Sequence, residues 1–388
     1  EYDNFDKTKT ISWAKENKLL TSPDIWLLSK LQKLIKKTTE RNESCKFHEA
    51  AKAVDDFIIN NLSQIYIPIT RGELWDEEES KKNRRLAIYA ILKEVLQTLD
   101  ILIHPLCPFT SEYLYQTVFD GKQSILLDKW PQYQETLVNE EIEESFDIMK
   151  DVVSISSAAR MKEKLKRRWP LNEALICVSK GQKQKLESLS SLLMSQLNVE
   201  KFTIFEIEKD PGLEQILELK QLNLPVKTIL ELDKKRVAPR AKQHIVKLSN
   251  VFSETNKEEI VASLQKQGQY NYEIDGEKIS LDKEDFIVDF DASKEFAVSK
   301  RDNYIVFIST SRNKEMMARG LIKDIARRLQ TLRKERGYNP TDILSVASIL
   351  DLDDESLEMI KEKSEELAFL VRVKQVNFTE SCKEYKDD

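Results

Sequence analysis

The sequence predicts a multidomain protein in which an all-α helical bundle is followed by α+β domains. Over about the first 170 residues, apolar side chains recur at helical spacing, whereas beyond Pro170 short β-rich runs alternate with helical stretches. The chain has 388 residues, and at roughly 150 residues per domain this length suits about two to four domains. We therefore expect a helical bundle over 1–170, a small α+β junction domain over 171–224, a linking α+β region over 225–290 and a C-terminal α+β domain over 291–388.

Five amphipathic helices are predicted in the bundle, at about 22–35, 47–65, 77–103, 110–119 and 139–168. The first begins with Ser22 and Pro23, because a proline suits the first turn of a helix. The second ends at Pro68, since proline interrupts the hydrogen bonds of a helix. The third stops at His104, because a residue that precedes a proline is disfavoured in the helical conformation. Each apolar stripe needs another helix to cover it, so the five helices are expected to pack as a bundle.

Strands are predicted beyond Pro170 at 175–178, 201–207, 226–232, 296–299, 304–310, 344–350 and 371–378. Helices at about 182–196, 314–336 and 354–369 alternate with them. This alternation predicts small α+β layers, which we expect to be two split-βαβ units joined by the stretch around 225–290.

The composition excludes several classes of enzyme site. Only 8 glycines are present, and neither G-x-G-x-x-G nor G-x-x-x-x-G-K-[ST] occurs, so no dinucleotide or P-loop site is predicted. The 4 cysteines form no C-x-x-C pair, and the 3 histidines have no second histidine or carboxylate at metal-ligand spacing. No nucleophile and base stand out either. We therefore predict no metal site, no cofactor and no covalent chemistry in this chain alone.

The sequence shows no targeting or membrane segment. No apolar run approaches the ~18 residues that a membrane helix needs, and no signal peptide is visible. The absence of a disulfide framework favours a reducing, cytoplasmic environment. The chain starts at Glu1 and its first methionine is Met149, so we expect it to be a piece of something larger.

Positive charge is concentrated in three segments, although the net charge of the chain is −6. Residues 159–172, 232–247 and 312–336 each carry a clear excess of Lys and Arg. Helical spacing places Arg160, Lys164 and Arg167 on one face. Cationic segments on an acidic chain can capture a phosphate backbone, so they favour RNA binding. Each segment alone is also what a solvated helix face looks like, and a protein-interaction scaffold whose cations form only salt bridges is the alternative.

Several motifs of the N-terminal half resemble a known family. They are Asn83–Phe119, which contains the run from His104-Pro105 to Ser111-Glu112, then Leu126–Pro131, and Arg160–Leu171. These stretches are similar to the anticodon-binding helical bundle of the class I aminoacyl-tRNA synthetases for Ile, Val, Leu and Met. Two later stretches, Val237–Arg240 and Gly320–Lys334, resemble the C-terminal extension of the isoleucyl-tRNA synthetases of the archaeal and eukaryotic-like branch, which lacks a four-cysteine zinc site.

The resemblance implies a tRNA-binding, anticodon-reading portion of a ligase that attaches isoleucine to tRNA-Ile with ATP. The H-I-G-H and K-M-S-K-S signatures of the catalytic domain are absent. The resemblance therefore implies that ATP, Mg²⁺ and the N-terminal catalytic and editing domains lie before Glu1, and that this chain is inactive alone. The implied partners are tRNA-Ile and those domains, with no membrane, in a monomeric cytoplasmic protein. The equivalent portion of a valyl-type enzyme is the nearest alternative.

The candidate tRNA-binding residues come from the three basic segments and from the end of the second helix. They are Arg71, Arg160, Lys164, Arg167, Arg168, Trp169, Lys234, Lys235, Arg236, Arg240, Arg319, Lys323, Arg327, Arg328, Arg333 and Lys334. The cations are expected to contact phosphates. Trp75, Trp169 and Tyr338 are candidate platforms for stacked bases, with packing inside the protein as the alternative.

Overall fold

The computed structural model describes residues 8–76, 78–119, 123–208, 211–293, 295–339, 341–350 and 352–379. The chain forms two compact units. The first contains the described residues up to Met149 together with Lys185–Leu192, and the second contains Lys150–Gln184 together with the described residues from Leu193 onward. The first unit is helical and every described strand lies in the second. The predicted fold class, a helical bundle followed by α+β structure, is therefore confirmed.

The bundle helices are α1 (Ile11–Glu16), α2 (Ser22–Glu43), α3 (Phe47–Asp56), α4 (Ile67–Trp75), α5 (Lys82–Ile103), α6 (Pro108–Thr117) and α7 (Glu140–Lys162). Helix α2 starts with a capping box, in which Asp24 accepts from the backbone N–H of Thr21 at 2.7 Å. The aromatic rings of Trp26 and Phe146 stack at 4.8 Å between centroids. Both side chains are fully buried, so they anchor the core of this unit.

The second predicted helix does not end at Pro68. A π-helical stretch, Phe57–Tyr66, connects α3 directly to α4. The change of helical register places Pro68 in the first turn of α4, where its missing N–H is tolerated. The buried Tyr66 hydroxyl donates to Asp24 at 2.8 Å, and Arg84 donates to the same carboxylate at 2.6 Å.

The strands are β1 (Leu171–Ser179), β2 (Val199–Ile207), β3 (Val226–Leu232), β4 (Gln269–Ile274), β5 (Glu277–Asp282), β6 (Phe286–Ala292), β7 (Phe296–Arg301), β8 (Tyr304–Ser309), β9 (Leu344–Leu350) and β10 (Val373–Thr379). The helices between them are α8 (Lys183–Glu187), α9 (Ser190–Leu197), α10 (Leu213–Gln221), α11 (Lys234–Ala241), α12 (Ile245–Glu254), α13 (Lys257–Gln267), α14 (Lys314–Glu335), α15 (Asp354–Lys361) and α16 (Ser364–Val371).

One sheet joins two segments that the sequence assigns to different domains. Strand β1 pairs in parallel with β2 and antiparallel with β8, and β8 pairs with β7. In this sheet Ile176 stands opposite Val306. The predicted regions 171–224 and 291–388 are therefore joined by backbone hydrogen bonds in one sheet, although the region 225–290 separates them in the sequence. Local periodicity could not reveal this pairing, because its partners are far apart in the sequence.

Two βαβ units are present, as the alternation of strands and helices suggests. Helices α8 and α9 connect β1 to β2, and α15 and α16 connect β9 to β10, with parallel strands in both cases. The strands of each unit pair directly, so the units are not split by a third strand. Helix α14 covers the C-terminal pair, where Ile322 packs in one core with Leu367 and Val371.

Candidate nucleic-acid interface

Arg160 is a buried structural residue. Its guanidinium donates to four backbone carbonyls, those of Lys166, Trp169, Leu197 and Asn198, at 2.8–3.3 Å. Burial, together with the charge of Arg167, lowers the pKa of Arg160 to about 10. The side chain therefore has no exposed donors for a phosphate, and the predicted phosphate contact by Arg160 does not fit its position.

The helical face expected for Arg160, Lys164 and Arg167 does not form, because α7 ends at Lys162. The chain then turns, with a left-handed backbone at Lys164 (φ 55°), and enters β1 at Leu171. The N–H of Leu165 donates to the carbonyl of Arg160 at 2.8 Å within this turn. Lys164 and Arg167 are both exposed on it. We call residues 163–170 the basic turn.

One carboxylate on α14 holds the basic turn. Asp324 accepts hydrogen bonds from Lys166 at 2.7 Å and from the indole of Trp169 at 3.1 Å, and it also forms an ion pair with Arg168. Burial raises the pKa of Asp324, but the hydrogen bonds from Lys166, Trp169 and Arg168 outweigh it and hold the pKa below its usual range. Arg168 and Trp169 are therefore engaged inside the protein.

The ring of Trp169 packs against a glycine of the same helix. A Cβ atom added at Gly320 would overlap the Trp169 ring, so only glycine permits this approach. The guanidinium carbon of Arg312 lies 4.9 Å from the centroid of the ring, within cation–π distance. Trp169 is thus a packing residue, which is the alternative that the sequence left open. Gly320, Arg312 and Asp324 had no signal in the sequence that tied them to Trp169.

In the second basic segment, the arginines are engaged in ion pairs with carboxylates of the protein, whereas the lysines are free of such partners among the described residues. Arg236 forms an ion pair with Glu284, and Arg240 forms one with the fully buried carboxylate of Asp285. Lys234 and Lys235, in the first turn of α11, are exposed and form no hydrogen bond or ion pair through their ammonium groups with any described residue. The two lysines keep the predicted capacity to bind phosphate, whereas the two arginines hold the surrounding structure together.

The third basic segment, on α14, divides in the same way. Arg319 forms ion pairs with Glu200 at 2.7 Å and with Glu315 at 2.6 Å. Arg333 donates to the carbonyls of Val371 at 2.6 Å and Asp342 at 2.7 Å, so it caps the end of α16. Burial lowers the pKa of Lys323 and outweighs its interactions with the carboxylates of Glu366 and Glu200. The remaining predicted cations of this helix are exposed and have no side-chain partner among the described residues; they are Arg327, Arg328 and Lys334.

The remaining candidates are a cation and an aromatic side chain of the bundle, Arg71 and Trp75, and one aromatic side chain beyond α14, Tyr338. Arg71 is exposed on α4 and has no side-chain partner in the described ranges. Trp75, the last residue of that helix, is 49% exposed, and Tyr338, just beyond α14, is 43% exposed. Neither aromatic ring is fully packed, so both stay candidates for base stacking.

The chemistry that these exposed side chains can perform is ionic recognition of phosphate. In the parts of the chain that the structure covers, no group of three or more His, Cys, Asp or Glu residues could hold a metal ion. None of the described helices combines the length and the apolar character that crossing a bilayer requires.

Residues 24–175 match the family model of the anticodon-binding domain of tRNA ligases. The chain is also similar to isoleucine–tRNA ligases: 26% identical over 91% of the chain to that of Sulfolobus acidocaldarius, 25% over 98% to that of Thermococcus kodakarensis, and 27% over 98% to that of Pyrococcus furiosus. It spans 32–33% of the length of these relatives. Residues 24–175 are thus similar to the anticodon-binding domain of tRNA ligases, in a chain that is similar along nearly its whole length to isoleucine–tRNA ligases.

Proposed function

We propose that this chain is the C-terminal, tRNA-binding portion of an isoleucine–tRNA ligase. The observation that carries the proposal is the match of residues 24–175 to an anticodon-binding domain, since such a domain binds tRNA. The relatives that match nearly the whole chain are named isoleucine–tRNA ligases, which supports tRNA-Ile as the partner. Attachment of isoleucine to that tRNA is then the activity of the longer protein.

The second unit supplies a surface for the sugar–phosphate backbone. Besides Lys323, which interacts with Glu366 and Glu200, its candidates are the exposed cations without partners among the described residues, namely Lys164, Arg167, Lys234, Lys235, Arg327, Arg328 and Lys334. Such side chains can bind phosphate without first breaking an internal ion pair. In the bundle, Arg71 is the matching candidate for a phosphate and Trp75 for a stacked base of the anticodon loop.

Activation of isoleucine with ATP and Mg²⁺ belongs, in this proposal, to a part of the ligase outside this chain. The same holds for editing. We expect the ligase to act as a monomer in the cytoplasm, where tRNA is charged for translation. The chain studied alone is then expected to bind tRNA and to form no aminoacyl-adenylate.

A salt titration of tRNA binding tests the proposal. A tRNA-Ile transcript is titrated with the chain in filter-binding assays at several salt concentrations, beside a tRNA-Val transcript. The double variant Arg327→Glu and Arg328→Glu is compared with a control double variant, Lys180→Glu and Lys201→Glu. The control changes the net charge by the same amount, at cations that are already paired with Glu208 and Glu173.

We expect wild-type binding that weakens with salt and prefers tRNA-Ile. Each phosphate that is no longer neutralised lowers the salt slope by about 0.7–0.9, so the Arg327 and Arg328 variant should lose about 1.5 units of slope and at least about tenfold in affinity. The control should keep the slope. An absence of tRNA binding at low salt, with an intact melting curve, would favour the protein-interaction scaffold instead.

A further inference from the structure

The basic turn has no rigid element of its own. It leaves α7 at Lys162 and reaches β1 at Leu171. One backbone bond lies within it, from Trp169 to Lys166 at 3.0 Å, and two join it to the end of α7, from Lys164 to Met161 at 3.1 Å and from Leu165 to Arg160 at 2.8 Å. A turn of this kind takes its position from what it is attached to.

The backbone of the basic turn is bound by Arg160, which donates to the carbonyls of Lys166 and Trp169, and by the Asn198 amide, which donates to the carbonyl of Arg167 at 3.1 Å. Its side chains are attached to the surface of α14 formed by Gly320 and Asp324. These residues are four positions apart, so they lie one above the other on the helix. Asp324 binds Lys166 and the Trp169 indole, and Gly320 lets the Trp169 ring sit against the helix backbone. The Asp324 side chain is 13% exposed, so its carboxylate faces the turn far more than it faces water.

Two exposed cations of α14 follow Asp324 closely in the sequence. Arg327 and Arg328 stand three and four residues after Asp324 and are both exposed. Residues at these spacings are neighbours on a helix surface, about 5–6 Å apart at Cβ. The attachment therefore holds the turn that carries Lys164 and Arg167 against the face of α14 on which Asp324, Arg327 and Arg328 are neighbours.

We propose that Asp324 is a positioning residue for RNA: by holding the basic turn on α14, it makes Lys164, Arg167, Arg327 and Arg328 one binding surface for a phosphate backbone. The inference rests on the proposed function, because it assumes that the chain binds tRNA. In this inference, the acidic side chain of Asp324 favours the binding of RNA, which is itself a polyanion.

An account based on charge alone predicts the opposite effect of replacing Asp324 on RNA binding. Replacing Asp324 by asparagine removes one negative charge and releases Lys166 and Arg168, so charge alone would tighten RNA binding and steepen its salt dependence. If Asp324 positions the turn, the same change lets Lys164 and Arg167 move away, and binding weakens with a shallower salt dependence. The direction of the effect separates the two accounts.

The experiment uses the full chain and a tRNA-Ile transcript in filter-binding titrations across a range of salt concentrations. Asp324→Asn removes the carboxylate, and Gly320→Ala displaces Trp169 without changing any charge. Glu284→Gln is the matched control, since it removes one carboxylate that pairs with Arg236 and does not contact the turn. The pair Lys164→Gln and Arg167→Gln is made in the wild-type chain and again in the Asp324→Asn chain, and melting curves check that each variant is folded.

We expect Asp324→Asn and Gly320→Ala to weaken binding and to lower the salt slope by about 1–2 units, the contribution of two bound phosphates. Glu284→Gln should bind as wild type or slightly tighter. The Lys164 and Arg167 changes should weaken the wild-type chain but add little once Asp324 is replaced, because the two cations no longer reach the RNA in that background.

Wild-type or tighter binding by Asp324→Asn overturns the inference, and so does a full additive effect of the Lys164 and Arg167 changes in that background. If Asp324→Asn does not fold, the Lys164 and Arg167 changes are made in the Gly320→Ala chain instead, which decides by the same two criteria. A wild-type chain that fails to bind tRNA at low salt refutes the proposed function itself, so the two failures are distinguishable.

Discussion

Replacing Arg160 by methionine should destabilise the second unit. Methionine keeps most of the side-chain volume but removes every hydrogen-bond donor. Two of the four carbonyls keep another partner, since Lys166 also accepts from the N–H of Trp169 and Asn198 from the N–H of Leu171. For the other two carbonyls, those of Trp169 and Leu197, Arg160 is the donor at 2.9 Å and 2.8 Å.

The expected loss of stability follows from the carbonyls of Trp169 and Leu197. Each buried carbonyl left without a donor costs about 1–3 kcal/mol, which gives about 2–6 kcal/mol in total. Removing the guanidinium also removes the cost of burying its charge, which is the cause of its lowered pKa. We therefore expect the free energy of unfolding of this unit to fall by about 3 kcal/mol.

The assay is hydrogen exchange of the amide groups in increasing urea, followed by mass spectrometry, because it reports on each unit separately. Peptides that contain β1 and β2 should lose protection at lower urea, whereas peptides around Trp26 should not change. Arg167→Met is the control, since it removes an exposed arginine of the same turn and should change stability by less than about 0.5 kcal/mol. Unchanged stability of Arg160→Met together with weaker tRNA binding would refute the structural role and restore Arg160 as a phosphate ligand.

Two further predictions concern carboxylates that bind cations within the protein. Asp24→Ala should lower the stability of the bundle by about 3–5 kcal/mol, because it leaves Arg84 without the fully buried carboxylate that it binds; thermal melting checks this against Glu79→Ala, which removes only an exposed ion pair with Lys82. For Asp324 the folded-state pKa is depressed, so its stabilising contribution is fully present above the ordinary value near ~3.9 and is lost as the pH falls through the depressed value. Melting temperatures measured against pH should therefore decline less steeply in acid for Asp324→Asn than for wild type, and parallel curves would contradict the assignment.

The sequence predicted the elements of the fold better than their association. The strands 226–232 and 344–350 have the predicted bounds, because alternating apolar residues are a local signal. The sheet that joins β1 to β8 has no such signal, since its register depends on backbone hydrogen bonds between distant segments. The prediction for Pro68 is wrong for a related reason: the π-helical stretch before it changes the helical register, and no residue pattern announces that change.

For the candidate interface, the sequence located the basic segments but could not separate free cations from engaged ones. Arg167 and Arg168 are adjacent and chemically identical, yet Arg168 pairs with Asp324 and Arg167 is exposed. The difference comes from a carboxylate more than 150 residues away in the chain. Helical spacing would place Arg160 on one face with Lys164 and Arg167 if α7 continued through the basic turn. The helix ends before that turn, so this grouping does not hold.

The distinction between free and engaged cations explains how a chain with a net charge of −6 can still present a surface for RNA. A phosphate that approaches Arg168 has to displace Asp324, and one that approaches Arg236 has to displace Glu284. Binding there gains one ion pair and loses another, so its net benefit is small. Lys164, Arg167, Arg327 and Arg328 require no such exchange. The acidic residues therefore do more than offset the basic ones. By pairing with particular arginines, they leave a smaller set of cations for phosphate, and under the proposed function this set would determine where the RNA backbone lies.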